Sequence, residues 1–317
     1  MSVDRVAIVP TDRLAVGMQL PIQSQSTVYV DAWERAAGAA ELATVARAAD
    51  RAGFFYVAVC DHVAIPRERA EAMSTTWYDT FTTLGFLAGV TERVHLLSHV
   101  YVPVYRHPLQ TAKAVLTLDE LSGGRAILGV GAGHLEGEFD LLGVDFASRG
   151  RRLDEAIDVI RAALLDEWPE FHGEFYDIAD VGLRPRPRRQ PRPPIWIGGS
   201  SPAAVRRAGE RGDGWLPQGN PPKKYPGMVQ NVRSRTDGQP VDIGALVEHL
   251  HVGAVPDGLE MGPWCVTGEP ERIAERLLEW ADMGAAHVQV RFPSRSVDEL
   301  VDQIERFGAD VLPLLGR

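Results

Sequence analysis

Eight short apolar runs, mostly separated by amphipathic helical segments, constrain this sequence more than any other feature. They cover residues 14–20, 54–60, 94–102, 126–130, 195–197, 214–217, 248–255 and 287–292. A strand–helix alternation builds a parallel sheet, because parallel neighbours need a crossover between them. Eight such units are the number that closes the sheet on itself, so the expected fold class is α/β, a (β/α)8 TIM barrel. The helical segments carry their own punctuation. Asp31 with Glu34 has capping-box spacing, Leu42, Val45, Ala46 and Ala49 form one stripe, and Gly53 stands at the stop. Segments 79–89, 108–121, 149–165, 202–211 and 270–283 follow as helices. Ser296 and Glu299 open the last one, whose stripe is Leu300, Ile304, Phe307 and Val311. Residues 166–193 break the alternation with a small hairpin around Gly173 and a run of prolines and arginines. They read as an insertion between strands four and five of a single domain spanning 1–317. Residues 218–242 show no clear element.

Composition narrows the class of function. The chain has 317 residues, and 45% of them are apolar, enough for a large core. Its 33 basic against 43 acidic residues leave a net charge of −10, which argues against a nucleic-acid partner. Cys60 and Cys265 are the only cysteines, so no disulfide framework is implied and a reducing cytoplasm fits. Residues 1–11 lack the apolar core of a signal peptide, and no apolar run is long enough to cross a membrane. The expectation is a cytoplasmic enzyme acting on a small molecule.

In such a barrel the loops after the strands build the working face. Asp61-His62, the segment after strand three, residues 131–138 and residues 198–201 all fall there. Around 194–202 a short apolar strand meets Gly198-Gly199-Ser200, then Ser201 as a helix cap and Pro202 at the first helical position. Such a turn either is a tight connection or offers backbone N–H groups and a positive dipole end to a phosphate. His62 ends strand two, and histidine is the side-chain type suited to carrying a proton either way, with Asp61 placed to orient it. His134, after Gly131-Ala132-Gly133, reads equally as a proton-handling group or a packed histidine. Glu138 reads as a charge at a helix N-terminus. Trp77 and Tyr78 line a substrate pocket or pack in the core. Arg184, Arg186, Arg188, Arg189 and Arg192 read as a solvated loop in preference to an anion site. No cluster has metal-ligand spacing, and no nucleophile elbow occurs.

These residues resemble the bacterial-luciferase-like superfamily, in particular its deazaflavin (coenzyme F420)-dependent oxidoreductases. The resemblance rests on Asp61-His62, on Val100-Tyr101-Val102-Pro103 with Tyr105-Arg106-His107-Pro108, and on Leu121-Ser122-Gly123-Gly124-Arg125. Gly129-Val130-Gly131-Ala132-Gly133, the run from Ile195 to Ser201, and Gly212-Asp213-Gly214-Trp215 complete it. It implies hydride transfer between F420 and a small organic substrate: a carbonyl or alcohol, an imine or an activated alkene. FMN-dependent monooxygenases and non-catalytic flavin-binding barrels share the architecture and are the alternatives. The resemblance implies His62 beside the deazaflavin ring and a non-proline cis peptide at His99-Val100 supporting that ring. Gly131, Gly133, Gly198, Gly199, Ser200 and Gln218 are the other positions expected to hold the cofactor. In sugar-phosphate-oxidising relatives a catalytic glutamate stands near the place of His134. A homodimer is the family expectation, and the Arg184–Arg192 run is a second candidate contact, for the cofactor's polyglutamate tail.

Overall fold

A computed structural model describes residues 4–27, 30–219, 222–262 and 264–316. Eight strands close into a barrel: β1 (Ala15–Gln19), β2 (Tyr56–Val59), β3 (His95–Ser98), β4 (Ala126–Val130), β5 (Ile195–Gly198), β6 (Gly214–Leu216), β7 (Asp242–Val252) and β8 (His287–Arg291). Each pairs in parallel with the next, and β8 pairs with β1, so the eight runs expected from sequence form one ring.

Close packing of rings against glycines fills the barrel interior. Tyr56 from β2, Trp196 from β5 and His287 from β8 meet on the axis, with Trp196 stacked on His287 at 4.4 Å and Tyr56 edge-on to both at 5.8 and 5.5 Å. Each ring lies over a glycine of an adjacent strand. A Cβ at Gly17 would run into Tyr56, one at Gly214 into Trp196, and one at Gly244 into His287. Burial holds His287 neutral, its pKa lowered to about 3, so this layer carries no charge near pH 7. Outside the ring, the stripe of Leu42, Val45, Ala46 and Ala49 is buried as its spacing requires.

The N-terminal end of the barrel is closed by ion pairs and by the first residues described. Arg192 and Asp213 are both 0% exposed and form a bidentate pair at 2.6 and 2.9 Å. The Val6 N–H donates to Asp213, and those of Ile8 and Val9 donate to Asp242 at 2.9 and 3.2 Å. Arg5 donates to the carbonyls of Ala208, Gly209 and Gly212. The arginine run belongs to this same end, away from the loops after the strands. Arg186 donates to the carbonyls of Ala163, Leu164 and Asp166, closing the helix Arg149–Leu165. The Arg188 and Arg189 amides donate to Asp119, and the Arg189 guanidinium to the Gly124 carbonyl, while it meets the His95 ring nitrogen at 2.9 Å. A solvated loop is therefore correct only for Arg184 and Arg188, whose side chains are exposed. A tail-binding role is excluded by placement, since the run lies at the opposite end from the working face.

Several elements depart from the sequence reading. The expected helix from Asp31 splits into a 3-10 turn, Ala32–Ala36, and an α-helix, Ala39–Ala52. Glu34 is buried, its carboxylate accepting from the Asp31 and Ile22 N–H groups, which ties the turn to the loop after β1. Strand three stops at Ser98, because the chain then bulges and curls into the turn Pro103–Tyr105. Strand seven begins at Asp242, earlier than expected. An acidic residue at its head hid the start, and its carboxyl oxygens accept from the amides of residues 8 and 9. The stretch without a clear element contains the helix Tyr225–Arg233, and a further strand, Cys265–Gly268, extends the sheet beside β7.

Candidate active site

Three connections after neighbouring strands meet at the C-terminal mouth of the barrel. Cys60, Asp61 and His62 leave β2, residues 99–106 leave β3, and residues 131–141 leave β4. Asp61 is buried, and both its oxygens go to Arg106, at 2.7 and 2.9 Å, with the Val102 N–H at 2.9 Å. It does not orient His62, as adjacency in sequence suggested. It locks the segment after β3 to the end of β2, and Arg106 in turn lies over the Tyr101 ring at 4.4 Å.

Glu138 orients His62. It sits in the six-residue helix Glu136–Leu141, is 0% exposed, and accepts from His62 Nδ1 at 2.9 Å. It also accepts from Tyr105 Oη at 2.9 Å, from the Ala64 N–H at 3.1 Å and from the Val63 N–H. Glu138 does stand in the first turn of its helix, as read from the sequence, and it is in addition a buried anchor with four donors. Burial pushes its pKa up, but the bonds from His62, Val63 and Ala64 outweigh that and hold the carboxyl below its ordinary value. Burial, then the charge of Glu138, raises the Tyr105 hydroxyl, so it remains a donor. Gly133 makes this arrangement possible. Its φ is +75°, and a Cβ there would stand 2.8 Å from the Phe139 ring and 3.2 Å from Tyr105 Oη.

Around His62 the mouth is aromatic. Its side chain is 11% exposed, and Nε2 bonds to no described residue. Trp77 stands edge-on to the imidazole at 4.3 Å, its Nε1 held by the carbonyls of Met73 and Ser74. His134 is also edge-on to the imidazole, at 5.7 Å. Partial covering, then the neighbouring His62, lowers the His134 pKa, with Glu138 opposing. Tyr78 belongs to a different environment. It packs against the main core.

The floor of the mouth is the bulge after β3. The His99-Val100 peptide bond is cis, as the resemblance implied. His99 is buried, and burial lowers its pKa to about 4, so it is neutral near pH 7. Val100 is the reason for two of the glycines. A Cβ at Gly131 would stand 2.6 Å from its side chain, and one at Gly198 would collide with it. These two glycines make room for the bulge. Beyond them, Gly199 turns the chain at φ +103°. Its N–H donates to the Leu216 carbonyl at 3.3 Å and its carbonyl accepts from Trp215 Nε1 at 2.9 Å. The Ser200 hydroxyl donates to the Gln218 carbonyl and accepts the Gln218 N–H at 2.9 Å, tying the two turns together. Ser201 caps the helix Pro202–Arg211 through Ala204. The N–H groups of Ser200, Ser201 and Ala203 donate to no described residue, so the turn has the donors that a phosphate ester requires. No group of three or more metal-ligating side chains occurs among the described residues, and no described helix is long and apolar enough to cross a membrane.

Sequence reasoning missed Glu138 and Tyr105. Tyr105 lay within a run quoted for its resemblance and was given no role. Glu138 sits in a helix of less than two turns, too short to show periodicity.

Comparison with known proteins places the chain among relatives of one family. Residues 15–254 match the family model described as luciferase-like monooxygenase. A Mycobacterium tuberculosis protein without an assigned function is 35% identical over 201 residues, 60% of this chain and 69% of the relative. The F420-dependent glucose-6-phosphate dehydrogenase of Intrasporangium calvum is 28% identical over 316 residues, covering 84% of this chain and 91% of that one. An FMNH2-dependent dimethylsulfone monooxygenase of Pseudomonas putida is 29% identical over 205 residues, 63% and 55% of the two chains. Among solved structures, a Streptomyces bottropensis monooxygenase superposes with a TM-score of 0.77 at 20% identity, covering 95% of this chain and 99% of that one. The F420-dependent tetrahydromethanopterin reductase of Methanopyrus kandleri gives 0.72 at 20% identity, covering 96% and 99%. At such identities these two establish the fold alone.

Proposed function

The chain belongs to the luciferase-like monooxygenase family, and on that premise we propose that it is an F420-dependent oxidoreductase exchanging a hydride with a small organic substrate. The observation that carries this reading is His62, braced on Nδ1 by a buried carboxylate and open on Nε2 at the barrel mouth. Reduction of a carbonyl or imine needs a proton delivered to oxygen or nitrogen, and the reverse reaction needs it removed. Because Glu138 occupies Nδ1, the exchange takes place at Nε2. The Trp77 and His134 rings both pack against the imidazole and contribute to the surface a substrate meets there. The cofactor supplies the hydride chemistry when bound, and the protein supplies binding, orientation and the proton. The Ser200, Ser201 and Ala203 amides, with the turn at Gly199, suit the cofactor's phosphate, and the His99-Val100 bulge suits its ring. The length of the match to an F420-dependent relative supports this cofactor. FMN with monooxygenation is the second reading, favoured by the FMNH2-dependent relative. A cytoplasmic homodimer completes the proposal, and a monomer mass by light scattering at micromolar concentration would remove the dimer from it.

Titrating the protein with F420 and with FMN, followed by quenching of cofactor fluorescence, tests the assignment. Saturable quenching of F420 at lower concentration than FMN is expected. Saturation by FMN alone, with oxygen consumed on adding reduced flavin, replaces it with the second reading.

A further inference from the structure

We propose that Tyr105 is a positioning residue that acts through Glu138 to set the basicity of His62; this rests on the role of His62 given above. Glu138 Oε1 takes the backbone amides of Val63 and Ala64, while Oε2 alone takes both His62 Nδ1 and Tyr105 Oη, each at 2.9 Å. Two donors on one carboxylate oxygen divide its charge between them. The Tyr105 hydroxyl therefore weakens the grip of Glu138 on the imidazolium form of His62 and makes it a better proton donor at Nε2.

Packing does not require that hydroxyl. The Tyr105 ring lies edge-on to Phe139 at 4.8 Å, a contact phenylalanine makes equally well, and Glu138 is the hydroxyl's one partner among the described residues. The loop also keeps space for it, since a side chain at Gly133 would press on Tyr105 Oη. The other charged or titratable groups around the pair are already engaged or act from the side. Asp61 is matched by Arg106, and His134 faces His62 with Arg69 behind it.

The test is the titration midpoint of the His62 ring in the protein without cofactor, read by heteronuclear NMR and identified by loss of its signal in His62→Gln. In Tyr105→Phe all of the Oε2 charge falls to His62, and the midpoint should rise by about half to one pH unit, the size of one ordinary hydrogen bond made to a single protonation state. In Glu138→Gln the midpoint should fall. An unmoved or lowered midpoint in a folded Tyr105→Phe protein overturns the proposal, whether or not Glu138→Gln folds. Because this readout needs neither cofactor nor turnover, it separates from the cofactor assignment. Should F420 oxidoreduction hold, the limb of the kcat/KM profile set by His62, alkaline for substrate reduction and acidic for the reverse oxidation, moves upward with the NMR midpoint, and a limb that stays in place also overturns the proposal.

Discussion

The two ends of the barrel use buried carboxylates in opposite ways. At the N-terminal end, Asp213 and Asp242 spend their acceptor capacity on the chain itself: on Arg192, on the Val6, Ile8 and Val9 amides, and on the Ile195 amide. At the C-terminal mouth, Glu138 is bonded as fully, yet one of its donors is a histidine whose second nitrogen remains available. The free N–H groups of the Ser200 turn belong to this end as well. Pairing Asp213 and Asp242 within the chain ties the base together, and the open donors at the other end are groups that a ligand can satisfy. That division is what a barrel with its working face at the strand C-termini requires.

The comparison breaks if substitutions at the two ends have the same consequences. The largest expected effect is on stability, at the base. Asp213→Ala leaves the Arg192 guanidinium buried without its partner, and breaking such a pair costs about 3–5 kcal/mol, a large part of the stability of an ordinary domain. Urea denaturation measures it, and a loss below about 1 kcal/mol would mean the pair contributes little. At the mouth, His62→Ala should lower turnover by about 10²–10⁴-fold while the urea midpoint hardly moves. Single-turnover decay of reduced deazaflavin reads the rate, and a wild-type rate would make His62 a packing residue and His134 the next to test.

A smaller effect concerns pH and sharpens the contrast between the two groups of carboxylates. Burial raises the Asp242 pKa to about 7, against about 3.9 for an unfolded chain. Between those values the folded state holds a proton that the unfolded state has released. Stability should therefore decline as pH rises through that window, and the slope should flatten in Asp242→Asn. Glu138, whose pKa is lowered, acts in the other direction: its contribution is present above the unfolded carboxyl value and is lost in acid. Urea midpoints of wild type and both amide variants from pH 4 to 8 decide this, and parallel curves for wild type and Asp242→Asn would contradict it. The smallest effect expected is at the turn. Gly199→Val forces a β-branched residue into φ +103° and should weaken cofactor binding about tenfold, or 1.4 kcal/mol. Unchanged affinity in a folded variant removes the phosphate assignment.

Much of the barrel was legible in the sequence because its determinants are local. Apolar runs of strand length, caps such as Ser201 and Ser296, and stops such as Gly53 and Gly123 act within a few residues, and the helix Arg149–Leu165 has the bounds its stripe suggested. His62 was legible too, since a histidine at a strand end on the working face is a local pattern. What surrounds it was not. Neighbours in sequence suggested that Asp61 serves His62, but closing the ring sends Asp61 to Arg106, 45 positions away, and brings Glu138 from 76 positions away. Likewise the strand-to-helix turn at Gly198 and the resemblance at Gly131 suggested a ligand, and only the structure shows that both glycines leave room for the Val100 side chain. Sequence alone determined the periodicity, the breaks and the kinds of groups that reach the mouth. Which carboxylate meets which donor was decided only when the strands closed into a ring, because a hydrogen bond depends on where two side chains end in space, and their separation along the chain does not encode that.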